Sequence, residues 1–342
     1  MLGTLARLGL QNLTEYPGAP VIFGVLWANF GGSLVMGFLA EDRMLFLYEW
    51  GTPTYDRKVS RAREQEIGSG SDSLNIDLDA AKKAHVAIKK TIPLYIGLST
   101  GFCGSFTSFS SFIRDVFLAM SNDLVSPDVD DSPTGRSGGF SFMAMVSVIL
   151  TTVCLSVSAL FIGAHLAIAV EPMTPSLPYQ FMRKFLDRLA VPVSIGGWIT
   201  VIILAVVPPH ARWRGDALLA LAFAPIGCLA RFYAAIYLNG RIISFPLGTF
   251  VANIAGTAVL GVCWDVAHLP VGGVLGCQVL KGVQDGFCGC LTTVSTWVAE
   301  LAALRRGHAY VYGIASVGVA LAILIPVMGG LRWSLGFEAT HC

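Results

Sequence analysis

Long apolar runs alternate with polar stretches along most of the chain. The runs lie at 19–41, 92–120, 140–170, 190–208, 216–238, 246–267, 271–300 and 308–331. A helix needs roughly 20 apolar residues to cross the hydrocarbon core of a bilayer. Lipid tolerates only backbones that satisfy their own polar groups, so each run is expected to be a helix. The pattern predicts an all-α membrane protein.

Composition agrees. The chain is 54% hydrophobic and 13% charged, about half the charge share of a soluble domain, with a mean hydropathy of +0.66. A net charge of +1 gives no field for nucleic acid. Seven of the eight cysteines lie in apolar segments, which is buried-thiol usage and not a disulfide framework. No spacing joins histidines to these thiols as metal ligands, and no signal peptide with a cleavage site is visible.

Two of the runs carry nearly the same string. Residues 101–112 read GFCGSFTSFSSF and residues 286–297 read GFCGCLTTVSTW. The run at 19–41 contains ANFGGSLVMG, and its partner at 246–267 contains ANIAGTAVLG. Small residues four apart on these helices favour close packing in lipid. The chain is therefore a duplicated membrane domain. Arg7 falls where Arg231 falls, but Arg231 follows an apolar helix and Arg7 follows six residues. The first repeat is expected to lack most of its first helix. The run at 190–208 has no counterpart, and one extra crossing starts the second repeat from the opposite side. The expected layout is two inverted-topology four-helix repeats, 1–170 and 209–342, joined by a linker, 171–208, that holds a transmembrane helix. Inverted repeats meet at the bilayer midplane, where sites form on broken helices.

Charge orients this layout. Segments 42–91, 171–189, 239–245 and 301–308 hold fifteen Lys and Arg, against five in 1–18, 121–139, 209–215, 268–270 and 332–342. The first set is cytoplasmic by the positive-inside bias, which puts the C-terminus and the sequon at Asn12 on the far side. The Gly/Ser/Asp-rich stretch 68–79 is expected to be disordered, with a short amphipathic helix at 79–90 and an acidic Pro/Gly loop at 121–139.

The repeated string is poor helix material. Irregular backbone at membrane depth survives only where protein or a water-filled cavity satisfies it, so breaks are expected at Gly104–Thr107 and Gly289–Thr292. The carbonyls freed there would suit a small hard cation; close packing of two Ser/Gly-rich helices is the plainer alternative. Phe109 and Phe112 share one helix face beside Ser108, Ser110 and Ser111. They are core or lipid contacts, or rings whose positive edges hold a small anion without trapping it. Asn29 and Asn253, in mid-span, are either helix–helix glue or anion donors. Arg231 either snorkels or draws anions to a pore mouth. Arg114, Asp115 and Glu300 read as interfacial charges, and Lys281 with Asp285 as an intramembrane or vestibule pair.

These strings, FPLGTFVANIAGTAVLG at 245–261, and an arginine ending the preceding helix resemble the fluoride channel/exporter family, in its fused eukaryotic form. The resemblance covers both halves apart from the first helix, the loops and the linker. It implies passive fluoride export across the plasma membrane by a single-chain pseudodimer, along pores at the domain interface. It also implies a structural sodium on the carbonyls of Gly104, Thr107, Gly289 and Thr292. Pore residues map to Phe109, Phe112, Asn29 and Asn253, with polar tracks at Ser147 and Thr151 and at Tyr312 and Ser316. The second half carries Val294 and Trp297 where the first has phenylalanines, and Ala320 where Thr151 has its hydroxyl. One working pore and one degenerate pore are expected. No nucleotide-binding motif is present. A secondary anion transporter, such as a fluoride/proton antiporter, is the competing reading; it needs a titratable relay, with Glu300, Asp115 and Asp285 as candidates. An enzyme would need a nucleophile–base or metal constellation at membrane depth, and His165 has no evident partner for one.

Overall fold

Without water to drive association, helices in lipid gain from backbones that approach closely, so small residues choose the crossings. The computed structural model describes residues 1–19, 21, 23–47, 85–124, 137–207, 213–270 and 272–337. In chain order these form α1 (Leu2–Thr14), α2 (Val25–Glu41) and a composite α3. The last runs from Pro93–Ile96 through a π-helical stretch, Gly97–Cys103, to Gly104–Phe106. Then come α4 (Phe109–Ser121), α5 (Gly138–Ala169), α6 (Met182–Val206), α7 (Arg214–Leu238) and α8 (Leu247–Ala267). The composite α9 joins Gly273–Gly282, π-helical Val283–Cys288 and Gly289–Leu291, and is followed by α10 (Ser295–Ala303) and α11 (Arg306–Ser334). No strand occurs among the described residues.

Helices α5, α6, α7, α8 and α11 are each long and apolar enough to cross a bilayer. The expected disordered stretch at 68–79 and most of the acidic loop lie outside the described residues. Of the helix expected at 79–90, residues 85–89 are described and helical. The linker helix starts earlier than its apolar run, at Met182, because Arg183 and Asp187 pair one turn apart on its first turns. It is largely exposed along its length. One tie to the rest is the Trp198 indole, which donates to Ala222 O at 2.8 Å.

Helices α2 and α5 make the most extensive pairing, and glycines set it. A Cβ on Gly37 would run into the Leu160 carbonyl, and one on Gly163 into the Leu34 carbonyl. In the second half α8 packs on α11 with Gly261 against the Leu324 side chain. One buried cluster takes side chains from both halves: Phe109, Phe112 and Phe117 from α4, Trp297 and Val298 from α10, Tyr312 and Leu324 from α11.

Candidate functional site

Both composite helices break where their strings turn Ser/Thr-rich. Thr107 (ψ 154°) and Thr292 (ψ 154°) are extended, while Gly104–Phe106 and Gly289–Leu291 stay helical. The breaks therefore fall at the C-terminal edge of the predicted windows. Each is preceded by a π-helical stretch that no residue pattern announced.

A helix that starts in mid-membrane leaves its first amides unpaired. Here each break supplies the other's cap. Thr107 Oγ1 accepts from the amides of Val294 and Ser295, both at 3.1 Å, at the start of α10. Thr292 Oγ1 accepts from the Ser110 amide at 3.1 Å, at the start of α4. Pairing of this kind, residue i on j and j's equivalent on i's equivalent, is what a two-fold relation produces.

The arginines repeat the pattern. Arg7 donates to Ser105 O at 2.9 Å, to Gly289 O at 2.7 Å and to Asp285 O. Arg231 donates to Cys290 O and to Thr100 O, both at 2.8 Å. Ser105 and Cys290 are equivalent positions in the two strings, as are Asp285 and Thr100. Both guanidiniums are buried, at 1% and 3% exposure, and neither joins an ion pair among the described residues. Arg231 thus does not snorkel. Freed backbone carbonyls satisfy its donors inside the protein.

The asparagines hold the breaks open. Asn29 Oδ1 accepts from the Ser108 amide at 2.9 Å, and its amide reaches back to Ser108 O at 3.5 Å. Asn253 treats Thr293 alike, at 2.8 and 3.2 Å. These amides are the donors that an unbroken helix would bring to Gly104 O and Gly289 O. Gly104 O is left without its helical donor, whereas Gly289 O takes Arg7. Each asparagine bridges its helix to a break, and one N–H of each carboxamide has no partner among the described residues.

Phe109 and Phe112 are fully buried and meet edge to face, with centroids 5.7 Å apart. Neither faces lipid. Phe109 also meets Trp297 of the other repeat edge to face, at 5.4 Å, and Val294 is fully buried beside this core.

The expected polar track on α5 is not its buried row. Ser147 is exposed and Thr151 only half-buried, whereas Val148, Thr152 and Ser156 face inward. One residue of slip rotates a side chain 100° about a helix axis. Leu160 and Leu324 seat against equivalent glycines, so the matching rows are Val148, Thr152, Ser156 and Tyr312, Ser316, Ala320. Among the described residues the hydroxyls of Ser33, Thr152 and Ser156 and the indole N–H of Trp297 are buried without a partner. In the second half Thr257 donates to Asn253 O and Ser316 to Tyr312 O, both at 2.7 Å. The Tyr312 hydroxyl donates to Glu300 at 2.7 Å. One row of hydroxyls is unspent and the other is sealed onto its own protein.

Glu300 is no loose interfacial charge. Thr249 and Tyr312 hold it at 2.7 Å and Asn239 at 3.3 Å. It lines a cavity of about 630 Å³ with Ala40, Lys90, Ser99, Phe232 and Thr296, on the side of the Lys/Arg-rich segments. Near that side, burial pushes the Asp42 carboxyl above the usual carboxylate range, against the pull of Lys89. Asp115 is buried and pairs with Arg114 at 2.8 Å. Lys281 pairs with Asp216 at 3.8 Å on the exposed surface, not with Asp285. Sequence reasoning put Ser33 on a packing face and Thr152 on its span, but placed neither of them, nor Ser156, on the anion path. Their four-residue spacing from Asn29 and Leu160 was the available signal.

A multi-pass helical membrane protein with two broken, mutually capped helices is the class these elements define. The family model described as "CrcB-like protein, Camphor Resistance (CrcB)" matches residues 1–164 and 218–330, and the chain belongs to that family. It is 58% identical over its whole length to Fluoride export protein 1 of Neurospora crassa, and spans 66% of that protein. Fluoride export protein 1 of Candida albicans is 33% identical over 98% of this chain and 78% of its own. The Fluoride-specific ion channel FluC of Pseudomonas aeruginosa is 30% identical over 36% of this chain and 98% of its own. One whole bacterial relative thus corresponds to about one repeat here. No solved structure matches the chain.

Proposed function

We propose that the chain is a passive, selective channel that lets fluoride leave the cytoplasm across the plasma membrane. The ion would pass along the seam between two inverted repeats acting as a single-chain pseudodimer. The observation that carries this reading is the row of buried hydroxyls with no protein partner, Ser33, Thr152 and Ser156, on helices that pack around the ring edges of Phe109 and Phe112. Fluoride is strongly hydrated, so a path through lipid must replace its water with donors. Hydroxyl groups and ring edges do so without the full positive charge that would trap the ion. The two guanidiniums nearby have spent donors on carbonyls, so they favour an anion at a distance without gripping it.

The cavity lined by Lys90, Thr296 and Glu300 suits the cytoplasmic mouth. An inside-negative potential of 100 mV favours exit of one anion by about 2.3 kcal/mol, so no other energy source is needed. The sealed second row, with Tyr312, Ser316 and Ala320, is the degenerate path. The break carbonyls are the candidates for a sodium ion: Gly104 O has lost its helical donor to Asn29, while Gly289 O already accepts from the Arg7 guanidinium, a cation the ion would have to displace. With Thr107 O and Thr292 O these are the carbonyls that would hold the ion.

The test is fluoride efflux from liposomes. Phe109→Ile and Phe112→Ile abolish flux on this reading, while Ser316→Ala leaves most of it. Equal losses from both rows would refute the single working path.

A further inference from the structure

The second repeat carries tryptophan where the first carries Phe112, a substitution that reads at first as decay. The indole is 1% exposed, and its Nε1–H has no acceptor. A buried donor left unpaired is costly, and native proteins rarely keep one without a visitor such as water or an ion. Its ring packs on Phe109 at 5.4 Å. Its helix, α10, lies against α2 and α5, which bear the unspent hydroxyls of Ser33, Thr152 and Ser156. None of those oxygens is paired with the indole.

We propose that the Trp297 indole N–H is a direct donor to the permeating anion, so that the second repeat lends the working path a true hydrogen bond in place of a ring edge. This rests on the fluoride-channel reading above and refines it. Several donors converging on one small hard anion satisfy them all at once, which no single neighbouring side chain does. Removing the N–H while keeping an aromatic ring isolates its part.

The experiment compares Trp297→Phe with the unaltered chain in liposomes, and follows indole N–H proton resonances in detergent during titration with sodium fluoride, with sodium chloride as control. Trp297→Phe identifies the Trp297 signal by its disappearance. The expected results are an efflux loss of about tenfold or more, the scale of one hydrogen bond to a charged group, and a fluoride-dependent shift of that one resonance. Unchanged efflux, or an indole signal that fluoride leaves unmoved or chloride moves equally, overturns the proposal. If Phe109→Ile stops efflux while Trp297→Phe does not, this proposal alone fails. If neither changes efflux, the channel reading fails with it.

Discussion

Replacing Thr152 by Val and Ser156 by Ala separates a transport surface from a structural one. Both hydroxyls are buried and unpartnered, and a buried polar group in that state costs about 1–3 kcal/mol. Removing them at nearly constant shape should therefore raise stability by about that amount each, read as a higher thermal midpoint in detergent. The same change removes donors from the anion's path. A hydrogen bond to a charged partner contributes about 1.5–3 kcal/mol, so each substitution should slow efflux roughly ten- to hundredfold. Ser147→Ala and Thr151→Val, one residue earlier on α5, should do neither, because Ser147 is exposed and Thr151 is not in the inward row. A variant that is both more stable and slower is hard to obtain by accident. Loss of stability in Thr152→Val and Ser156→Ala, or equal slowing by Ser147→Ala, would refute the reasoning.

Other outcomes follow from the same geometry. Arg231→Lys should destabilise the protein by about 3–6 kcal/mol, two charge-assisted bonds, because an ammonium lacks the fork that spans Cys290 O and Thr100 O. Denaturant unfolding in detergent measures this, and Arg7→Lys, which breaks three bonds, should lose at least as much. Gly163→Ala forces a Cβ into the Leu34 carbonyl and should cost about 1–3 kcal/mol by overpacking. Gly318→Ala, into open space, should be neutral.

Much of this arrangement was legible in the residues. The repeated string located both breaks, because glycine and hydroxyl residues crowded into a dozen positions are poor helix formers whose backbone must find other partners at membrane depth. The alignment of Arg7 with Arg231 marked the two positions as equivalent, though only Arg231 was given a role. What they grip was hidden, since their partners are backbone carbonyls, which carry no side-chain signature. The inward face of α5 was missed because Ser147, Thr151, Thr152, Ser156 and Ser158 spread over about half of the helix circumference, so composition gives no single phase. Glu300 looked interfacial because it stands near the end of a run. Only the fold brings Thr249, Asn239 and Tyr312 around it.

The central claim is passive conduction through the seam. It is tested most directly by fluoride efflux from liposomes whose voltage is clamped with potassium and valinomycin, with and without an opposed proton gradient. The account predicts flux that scales with voltage and ignores the proton gradient. Flux that stops when the proton gradient is collapsed, or that runs against the voltage when one is applied, would contradict it.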